Sequence, residues 1–123
     1  MQRRITIVDD EGGVRIALQR FLNVAGMKTQ GYASAEDFLD SIPGLRCDCL
    51  ILDHGLPAMS GLELQSRLTA THPRLPVIFI SAHDDPHVRA QAMQAGALAF
   101  LGKPFGEEGL LRLVEKALQS NKL

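Results

Sequence analysis

The sequence has few of the features that mark a membrane-bound, secreted or nucleic-acid-binding protein. Its 13 Lys and Arg residues nearly balance 14 Asp and Glu residues, for a formal net charge of −1 without blocks of like charge. That balance gives no support for binding to nucleic acid or to an anionic membrane. No apolar run approaches the roughly 20 residues that span a bilayer, and the N-terminal Met-Gln-Arg-Arg leads directly into a strand-like segment. We therefore expect a cytoplasmic protein whose partners are proteins.

Cysteine is also scarce. Cys47 and Cys49 lie two residues apart in an extended segment, too close along the chain for an easy disulfide, and a metal site would need further ligands nearby. We interpret both as reduced thiols at the start of a buried strand, as expected in a reducing compartment. A chain of 123 residues can bury a core without such staples, so residues 1–123 are expected to form one domain.

Short apolar runs alternate with helix-like segments five times, without an internal repeat or flexible linker. Four of the runs are almost continuously apolar, as parallel strands covered on both faces require. The alternation predicts the α/β class: a five-stranded parallel sheet with helices on both faces, a doubly wound, flavodoxin-like (βα)5 fold. The predicted strands are residues 5–8, 28–32, 49–53, 77–80 and 99–101.

Several helix starts are marked by residue type. Ser34 and Ser60 each precede an acidic residue by three positions and an apolar run at helical spacing, which is a capping pattern. Asp85 precedes Pro86, whose missing N–H costs nothing at the first helical position. These signals predict helices that begin directly after the three residues.

Five chemically active side chains follow the predicted strands directly or within two residues: Asp9, Asp10, Asp53, Ser81 and Lys103. The carboxyl ends of parallel strands share one edge of the sheet, and open α/β folds bind their ligands there. Three carboxylates brought together repel one another, so the arrangement indicates a hard cation that joins them, with Lys103 adding positive charge. This edge is therefore a predicted site for phosphoryl chemistry.

The chain resembles the receiver domain of bacterial two-component response regulators over essentially its whole length. Five features match in order and spacing. They are the pair Asp9-Asp10, Asp53 in an Asp-x-x-x-Pro-x-Met-x-Gly loop, Ser81 after strand four, Phe100 within strand five, and Lys103-Pro104-Phe105.

The resemblance implies that Asp53 is the phosphoacceptor, which takes a phosphoryl group from a sensor histidine kinase or a small phosphodonor. It also implies Mg²⁺ (or Mn²⁺), bound directly by Asp10, Asp53 and the backbone carbonyl of Gly55, with Asp9 acting through water. Lys103 is expected to pair with phosphoryl oxygens. The residue types suit this chemistry, because transfer of a dianionic group depends mainly on positioning and charge neutralisation.

The resemblance further implies that Ser81 and Phe100 form a switch pair and that the Lys103–Pro104 peptide bond is cis. Phosphorylation adds a charge of roughly −1.5 to −2, enough to shift a loop between two packings. The expected output is a change in the face made by helix four, strand five and helix five, through which a homodimer or a partner would bind. On that face we expect Arg89, Met93, Phe100, Leu113 and Lys116.

Two positions are expected to tune the lifetime of the phosphoryl group. Gly55 and His83 lie two residues after Asp53 and Ser81, and the corresponding positions in the family flank the phosphoryl group. Gly55 offers no side chain to order water. Because histidine titrates near neutral pH, His83 would make the lifetime pH-sensitive, unless it is simply a solvated loop residue.

Three alternatives remain open from the sequence. A pseudo-receiver would keep the fold as an interaction module without phosphorylation. A phosphatase of the haloacid dehalogenase type would need a second Asp two residues after the nucleophile, where this chain has Gly55. Nucleotide or flavin binding would favour a Gly- or hydroxyl-rich loop after the first strand, where this chain has an acidic one. We therefore expect a switch that catalyses its own phosphorylation and dephosphorylation, and not a turnover enzyme.

The sequence does not name an output. Residues 76–81 and 102–105 most resemble receivers attached to LuxR-type helix-turn-helix regulators, which implies a role in transcription regulation. The chain carries no helix-turn-helix or basic recognition helix of its own, so no direct contact with nucleic acid is expected from it. It is either a stand-alone regulator or the receiver portion of a longer protein.

Overall fold

The computed structural model describes residues 3–42 and 46–120, in which strands and helices alternate along the chain. The strands are β1 (Arg4–Val8), β2 (Lys28–Tyr32), β3 (Cys49–Asp53), β4 (Val77–Ser81) and β5 (Ala99–Gly102). The helices are α1 (Gly12–Val24), α2 (Ala35–Ser41), α3 (Gly61–Thr71), α4 (Pro86–Gln94) and α5 (Glu107–Ser120). The predicted (βα)5 order is confirmed, and each strand lies within one residue of its predicted bounds.

The five strands form one parallel sheet in the order β2-β1-β3-β4-β5. The chain moves from β1 to one edge and then crosses back over β1 to build the other half. Because parallel crossovers are right-handed, this reversal places α2, α3 and α4 on one face and α1 and α5 on the other. The doubly wound α/β fold is therefore confirmed.

The core divides at the sheet. Every residue of β3 and β4 is buried, and alternate side chains enter the two helical layers. Leu50 and Leu52 pack toward α2, α3 and α4, whereas Ile51 and Ile78 pack toward α1 and α5. Burying each such side chain stabilises the fold by about 1.5–3 kcal/mol. The central strands are thus held rigidly, and the loops at their carboxyl ends start from fixed positions.

The predicted caps form at three helix starts. The Ser34 hydroxyl oxygen accepts the N–H of Asp37 at 3.1 Å, and that of Ser60 accepts the N–H of Glu63 at 3.1 Å. The Asp85 carboxylate accepts the N–H of His87 at 2.9 Å. A cap of this kind contributes about 1 kcal/mol.

The helices within residues 3–42 and 46–120 all lack the combination of length and apolar character that crossing a membrane requires.

Candidate functional site

The carboxyl edge of the sheet brings the three predicted acids together. One carboxylate oxygen from each of Asp9, Asp10 and Asp53 lies within 4.8 Å of the other two. Asp9 is fully buried and Asp53 is 4% exposed, whereas Asp10 is exposed. β1 and β3 are neighbours in the sheet, so their ends carry the three carboxylates to one place.

The backbone around Asp53 depends on a close approach by α3. Gly61 is the first residue of that helix and is buried. A Cβ at Gly61 would lie 2.7 Å from the carbonyl oxygen of Asp53 and 3.1 Å from the Phe79 ring, so a larger residue would push the helix away. The glycine that ends the Asp-x-x-x-Pro-x-Met-x-Gly loop is therefore a packing requirement of the Asp53 turn.

Asp53 is short of positive charge. Burial raises the pKa of its carboxyl, and the nearby Asp9 carboxylate raises it further, to about 6. Lys103 and the Gly55 N–H, which donates to Oδ1 at 3.3 Å, act in the opposite direction but do not outweigh these effects. Near neutral pH, Asp53 is therefore an ionised carboxylate whose negative charge is only partly compensated, and a cation would stabilise it.

Lys103 lies among the acids. Its ammonium is 3.1 Å from Asp9 Oδ2, 3.3 Å from Glu11 Oε1 and 3.7 Å from Asp53 Oδ1. Burial alone would lower the pKa of Lys103, but the three carboxylates outweigh it and the pKa is raised. The lysine is thus a stable positive charge beside Asp53. The Lys103–Pro104 peptide bond is cis.

Glu11 is a site residue that sequence reasoning did not assign. It follows Asp9-Asp10 directly, and its exposed carboxylate shares the Lys103 ammonium with Asp9 and Asp53. The acidic run after β1 was the available indication, but spacing alone does not show which carboxylate reaches a lysine 92 residues away.

Ser81 faces the loop that follows β4. Its hydroxyl donates to the carbonyl oxygen of His83 at 2.8 Å and accepts the His83 N–H at 3.2 Å. Ser81, His83, Gly55 and Asp53 all line an open cavity of about 370 Å³. His83 is exposed. The structure therefore brings together the acids, the serine and both of the predicted tuning positions.

Phe100 lies apart from that cavity, in the core under α4. It is 4% exposed and stacks on Phe79 with ring centroids 6.2 Å apart. The Arg89 guanidinium lies 5.0 Å from the Phe100 ring centroid, donates to the Phe100 carbonyl oxygen at 3.1 Å, and pairs with Asp84 at 2.8 Å. The Phe100 ring therefore packs inward in this structure and is not exposed on the face of α4, β5 and α5, and a role for that face in partner binding stays a prediction. Met93, on α4, is 44% exposed.

The donor set fits a hard divalent cation. Asp10 is exposed and has no side-chain hydrogen bond or ion pair with the described part of the chain, so its oxygens can accept a metal. Asp53 carries charge that its neighbours do not balance, which a metal would relieve. Mg²⁺ prefers a few oxygen ligands and retains several waters, and this cluster beside an open cavity meets that preference.

The fold and this edge together define a class of protein, a doubly wound α/β domain with a lysine-paired carboxylate cluster at the carboxyl ends of its strands. The family described as "Response regulator receiver domain" matches residues 5–115, and the chain belongs to that family. It is a receiver domain of the two-component type, whose family role is a phosphorylation-activated signalling switch. The pseudo-receiver and phosphatase alternatives are not favoured.

Similar proteins agree with this assignment. The chain is 42% identical over 115 residues to response regulator protein TmoT of Ectopseudomonas mendocina, a match that covers 94% of this chain and 52% of TmoT. It is 40% identical over 115 residues to response regulator protein TodT of Pseudomonas putida, covering 94% and 51%. The solved structure of response regulator StyR superposes with a TM-score of 0.88 at 41% identity, covering 98% of this chain and 61% of that one. The chain spans about half the length of the curated relatives it matches.

Proposed function

We propose that this receiver domain, taken as residues 1–123, is switched by phosphorylation of Asp53. The observation that carries the proposal is the state of that carboxylate. It is buried, its pKa is raised to about 6, and it lies beside two other acids with Lys103 3.7 Å from its oxygen. Burial and the neighbouring acids disfavour the ionised form of this carboxyl group. A bound metal ion would offset that repulsion, and phosphorylation would convert the carboxylate to an acyl phosphate.

The residues suit in-line transfer of a phosphoryl group. A carboxylate oxygen of Asp53 forms the new bond to phosphorus while the bond from phosphorus to the donor breaks. Lys103 already lies 3.7 Å from Asp53 Oδ1, and it would turn from Asp9 and Glu11 toward the phosphoryl oxygens as charge develops on them. When bound, Mg²⁺ (or Mn²⁺) supplies charge neutralisation and orientation; Asp10, Asp53 and the carbonyl of Gly55 would hold it, with Asp9 through water.

The conformational response begins at Ser81. Its hydroxyl now bonds the His83 backbone in both directions, so these bonds would be exchanged for one to a phosphoryl oxygen. That exchange moves the loop between β4 and α4, which Arg89 and Asp84 connect to Phe100. We propose that Ser81 and Phe100 act as the switch pair through this connection, by a shift between two populated packings.

The phosphorylated group should persist long enough to carry a message. A phosphatase of this chemistry needs an acid or base two residues after the nucleophile, and that position is Gly55, which is exposed and has no side chain. His83 lines the same cavity and is the remaining candidate to tune hydrolysis. We therefore infer a switch that catalyses only its own phosphorylation and dephosphorylation.

The partners follow from the family. We propose a sensor histidine kinase as phosphodonor and a homodimer or protein target at the face of α4, β5 and α5, where Met93 is exposed. A LuxR-type DNA-binding domain would carry any transcription output, and this domain itself would not touch nucleic acid. The free thiols of Cys47 and Cys49 agree with a cytoplasmic location.

Intact-mass measurement tests the proposal. The protein is incubated with acetyl phosphate, with and without Mg²⁺, beside the variants Asp53→Ala and Asp40→Asn. We expect one Mg²⁺-dependent phosphoryl addition in the wild-type protein and in Asp40→Asn, whose changed residue is exposed on α2, and none in Asp53→Ala. An addition that survives in Asp53→Ala would place the acceptor elsewhere, and no addition to the wild-type protein would contradict the proposed switch.

A further inference from the structure

Arg15, near the start of α1, contacts the acidic site from its backbone side and has no role in the chemistry above. Its Nη1 donates to the carbonyl oxygen of Asp9 at 2.7 Å, and the side chain is half-buried. Hydrogen bonds with a charged donor are among the stronger ones in proteins. The contact is therefore a firm attachment of α1 to the peptide unit that joins Asp9 to Asp10.

Gly31, in β2, provides the space in which Arg15 lies. A Cβ at Gly31 would lie 2.9 Å from Cδ and 3.0 Å from Cγ of Arg15, and 2.5 Å from Oε1 of Gln19. Gly31 has the extended backbone of a strand, which any residue adopts, so it is close approach that requires glycine here. A side chain at this position would displace the stem of Arg15.

The remaining polar groups of Asp9 are held just as firmly. Its N–H donates to the Tyr32 carbonyl oxygen at 3.0 Å. Its Oδ1 accepts the Glu11 N–H at 2.9 Å, and its Oδ2 accepts from Lys103 at 3.1 Å. Together with the Arg15 bond, these contacts engage the N–H, the carbonyl oxygen and both carboxylate oxygens of Asp9.

This fixation determines how Asp10 presents its carboxylate. The peptide unit between Asp9 and Asp10 is planar, so holding its oxygen sets the direction in which the chain enters Asp10. Asp10 is exposed and lacks a side-chain partner in the described residues, so its direction depends on the backbone that the contacts of Asp9 hold, the Arg15 bond among them. Orientation by a neighbouring hydrogen bond is how outer groups commonly tune a metal ligand.

We propose that Arg15 is a positioning residue for the metal site, which fixes the Asp9–Asp10 peptide so that the Asp10 carboxylate meets the cation, and that Gly31 keeps Arg15 in place. The inference rests on the proposed function, because it requires a cation at Asp9, Asp10 and Asp53.

Positioning and simple charge predict effects of opposite sign. If Arg15 acted only as a positive charge near three acids, its removal would leave the site more negative and would tighten binding of a divalent cation, by about 2- to 5-fold. If it positions Asp10, its removal weakens binding, by about 10-fold. The sign of the change therefore separates the two roles.

The experiment titrates the whole chain with Mn²⁺, follows the EPR signal of the free ion, and adds Mg²⁺ as a competitor. We expect Arg15→Met to bind Mn²⁺ about 10-fold more weakly, and Arg15→Lys, which retains a charged donor, to recover most of the loss. Gly31→Ala leaves the guanidinium in the chain but displaces it, and should weaken binding in the same direction. Arg20→Met removes an equal charge from an exposed position of α1 and should not weaken binding.

Unchanged or tighter binding in Arg15→Met, or an equal loss in Arg20→Met, would overturn the inference. If Arg15→Met fails to fold by circular dichroism, Gly31→Ala decides alone, and wild-type affinity in that variant counts against the inference. A wild-type protein that does not bind Mn²⁺ would instead refute the proposed metal site itself, so the two failures are distinguishable.

Discussion

The two edges of one sheet carry opposite kinds of structure. At the carboxyl edge, one carboxylate oxygen from each of Asp9, Asp10 and Asp53 lies within 4.8 Å of the other two, and burial and repulsion raise the pKa of Asp53 to about 6. At the amino edge, the Asp48 carboxylate is hydrogen-bonded, since it accepts the Arg4 N–H at 2.9 Å. An apolar cavity of about 430 Å³ lies nearby, with Phe38 and Leu68 in its wall.

The comparison indicates that the residues for the proposed chemistry lie at the carboxyl edge, whereas the amino edge contributes mainly to the stability of the fold. The carboxyl ends of parallel strands all lie at one edge of the sheet, so the loops there can bring side chains of like charge together. The stability of the rest of the fold must offset the repulsion between them. At the amino edge, among the described residues, the Asp48 carboxylate instead accepts a backbone hydrogen bond from Arg4. Changes at the two edges should therefore differ in sign, in metal dependence and in effect on phosphorylation.

The largest effect is expected from Lys103→Met, which removes the charge shared by three carboxylates. Breaking a buried pair leaves an unbalanced charge, so we expect a loss of about 3 kcal/mol in the free energy of unfolding at pH 7.5, with part of it recovered in saturating Mg²⁺. The rate of phosphorylation should fall about 100-fold. Urea unfolding and intact mass measure the two, with the exposed Lys116→Met as control. Full stability without Mg²⁺ would show that the carboxyl edge needs no counter-charge.

The second prediction concerns the amino edge. Leu68→Ala opens a cavity at a residue that is 2% exposed, and we expect a loss of about 3 kcal/mol in unfolding free energy. Leu68 lies seven positions along α3 from Gly61, the end of the helix that contacts Asp53, so Mn²⁺ affinity and phosphorylation rate should remain within about 2-fold. A large loss of phosphorylation in a variant that is still folded would contradict the claim that the two edges act independently.

The third prediction is a gain in the free energy of unfolding, opposite in sign to the first two. Asp53→Asn removes a destabilised carboxylate and should raise the free energy of unfolding by about 2 kcal/mol at pH 7.5. The pKa of Asp53 is raised to about 6 in the folded protein, above its ordinary value, so the folded state binds the proton more tightly than the unfolded state does. The resulting contribution to stability is fully present below about pH 4 and is lost as the pH rises through 6. The gain in Asp53→Asn should therefore be small at pH 4 and complete above pH 7.

Asp48→Asn is the matched change at the amino edge. It weakens the acceptor of the Arg4 N–H, and we expect a loss of up to about 1 kcal/mol in unfolding free energy. Chemical denaturation of both variants between pH 4 and 8 provides the comparison. Stabilisation by both substitutions, or by neither, would contradict the account.

The smallest effect is expected from Arg89→Met. The ion pair with Asp84 is largely exposed, and the contact with the Phe100 ring contributes about 0.5–1 kcal/mol, so we expect a loss of less than 1 kcal/mol. Mn²⁺ affinity should not change, whereas the NMR signals of the Phe100 ring should shift. The exposed Arg112→Met serves as control. An unaltered Phe100 environment would remove Arg89 from the proposed switch.

Much of the molecule was predictable because its signals are local. Apolar runs predict β1, β3 and β4, and the shared direction of parallel strands places Asp9, Asp53 and Lys103 at one edge. Capping residues predict where α2, α3 and α4 begin. These are properties of a residue and its near neighbours along the chain.

The rest depends on contacts between distant side chains. No periodicity shows that Glu11 reaches Lys103, that Arg15 lies over Gly31, or that Phe100 packs inward under Arg89. The Ser81 hydroxyl could face the acids or its own loop, and only the conformation of that loop decides. Such details follow from packing, which single-residue preferences do not specify.

Residue-resolved NMR of the wild-type protein, first with Mg²⁺ and then with beryllofluoride as a phosphoryl analogue, tests the central claim most directly. We predict that Mg²⁺ shifts the amides of Asp10, Asp53 and Gly55, and that beryllofluoride then shifts Ser81 and Lys103, while amino-edge residues such as Arg4 and Asp48 stay unchanged. Shifts absent from the carboxyl edge, or spread equally over both edges, would contradict a metal-dependent phosphoryl site confined to the carboxyl ends of these strands.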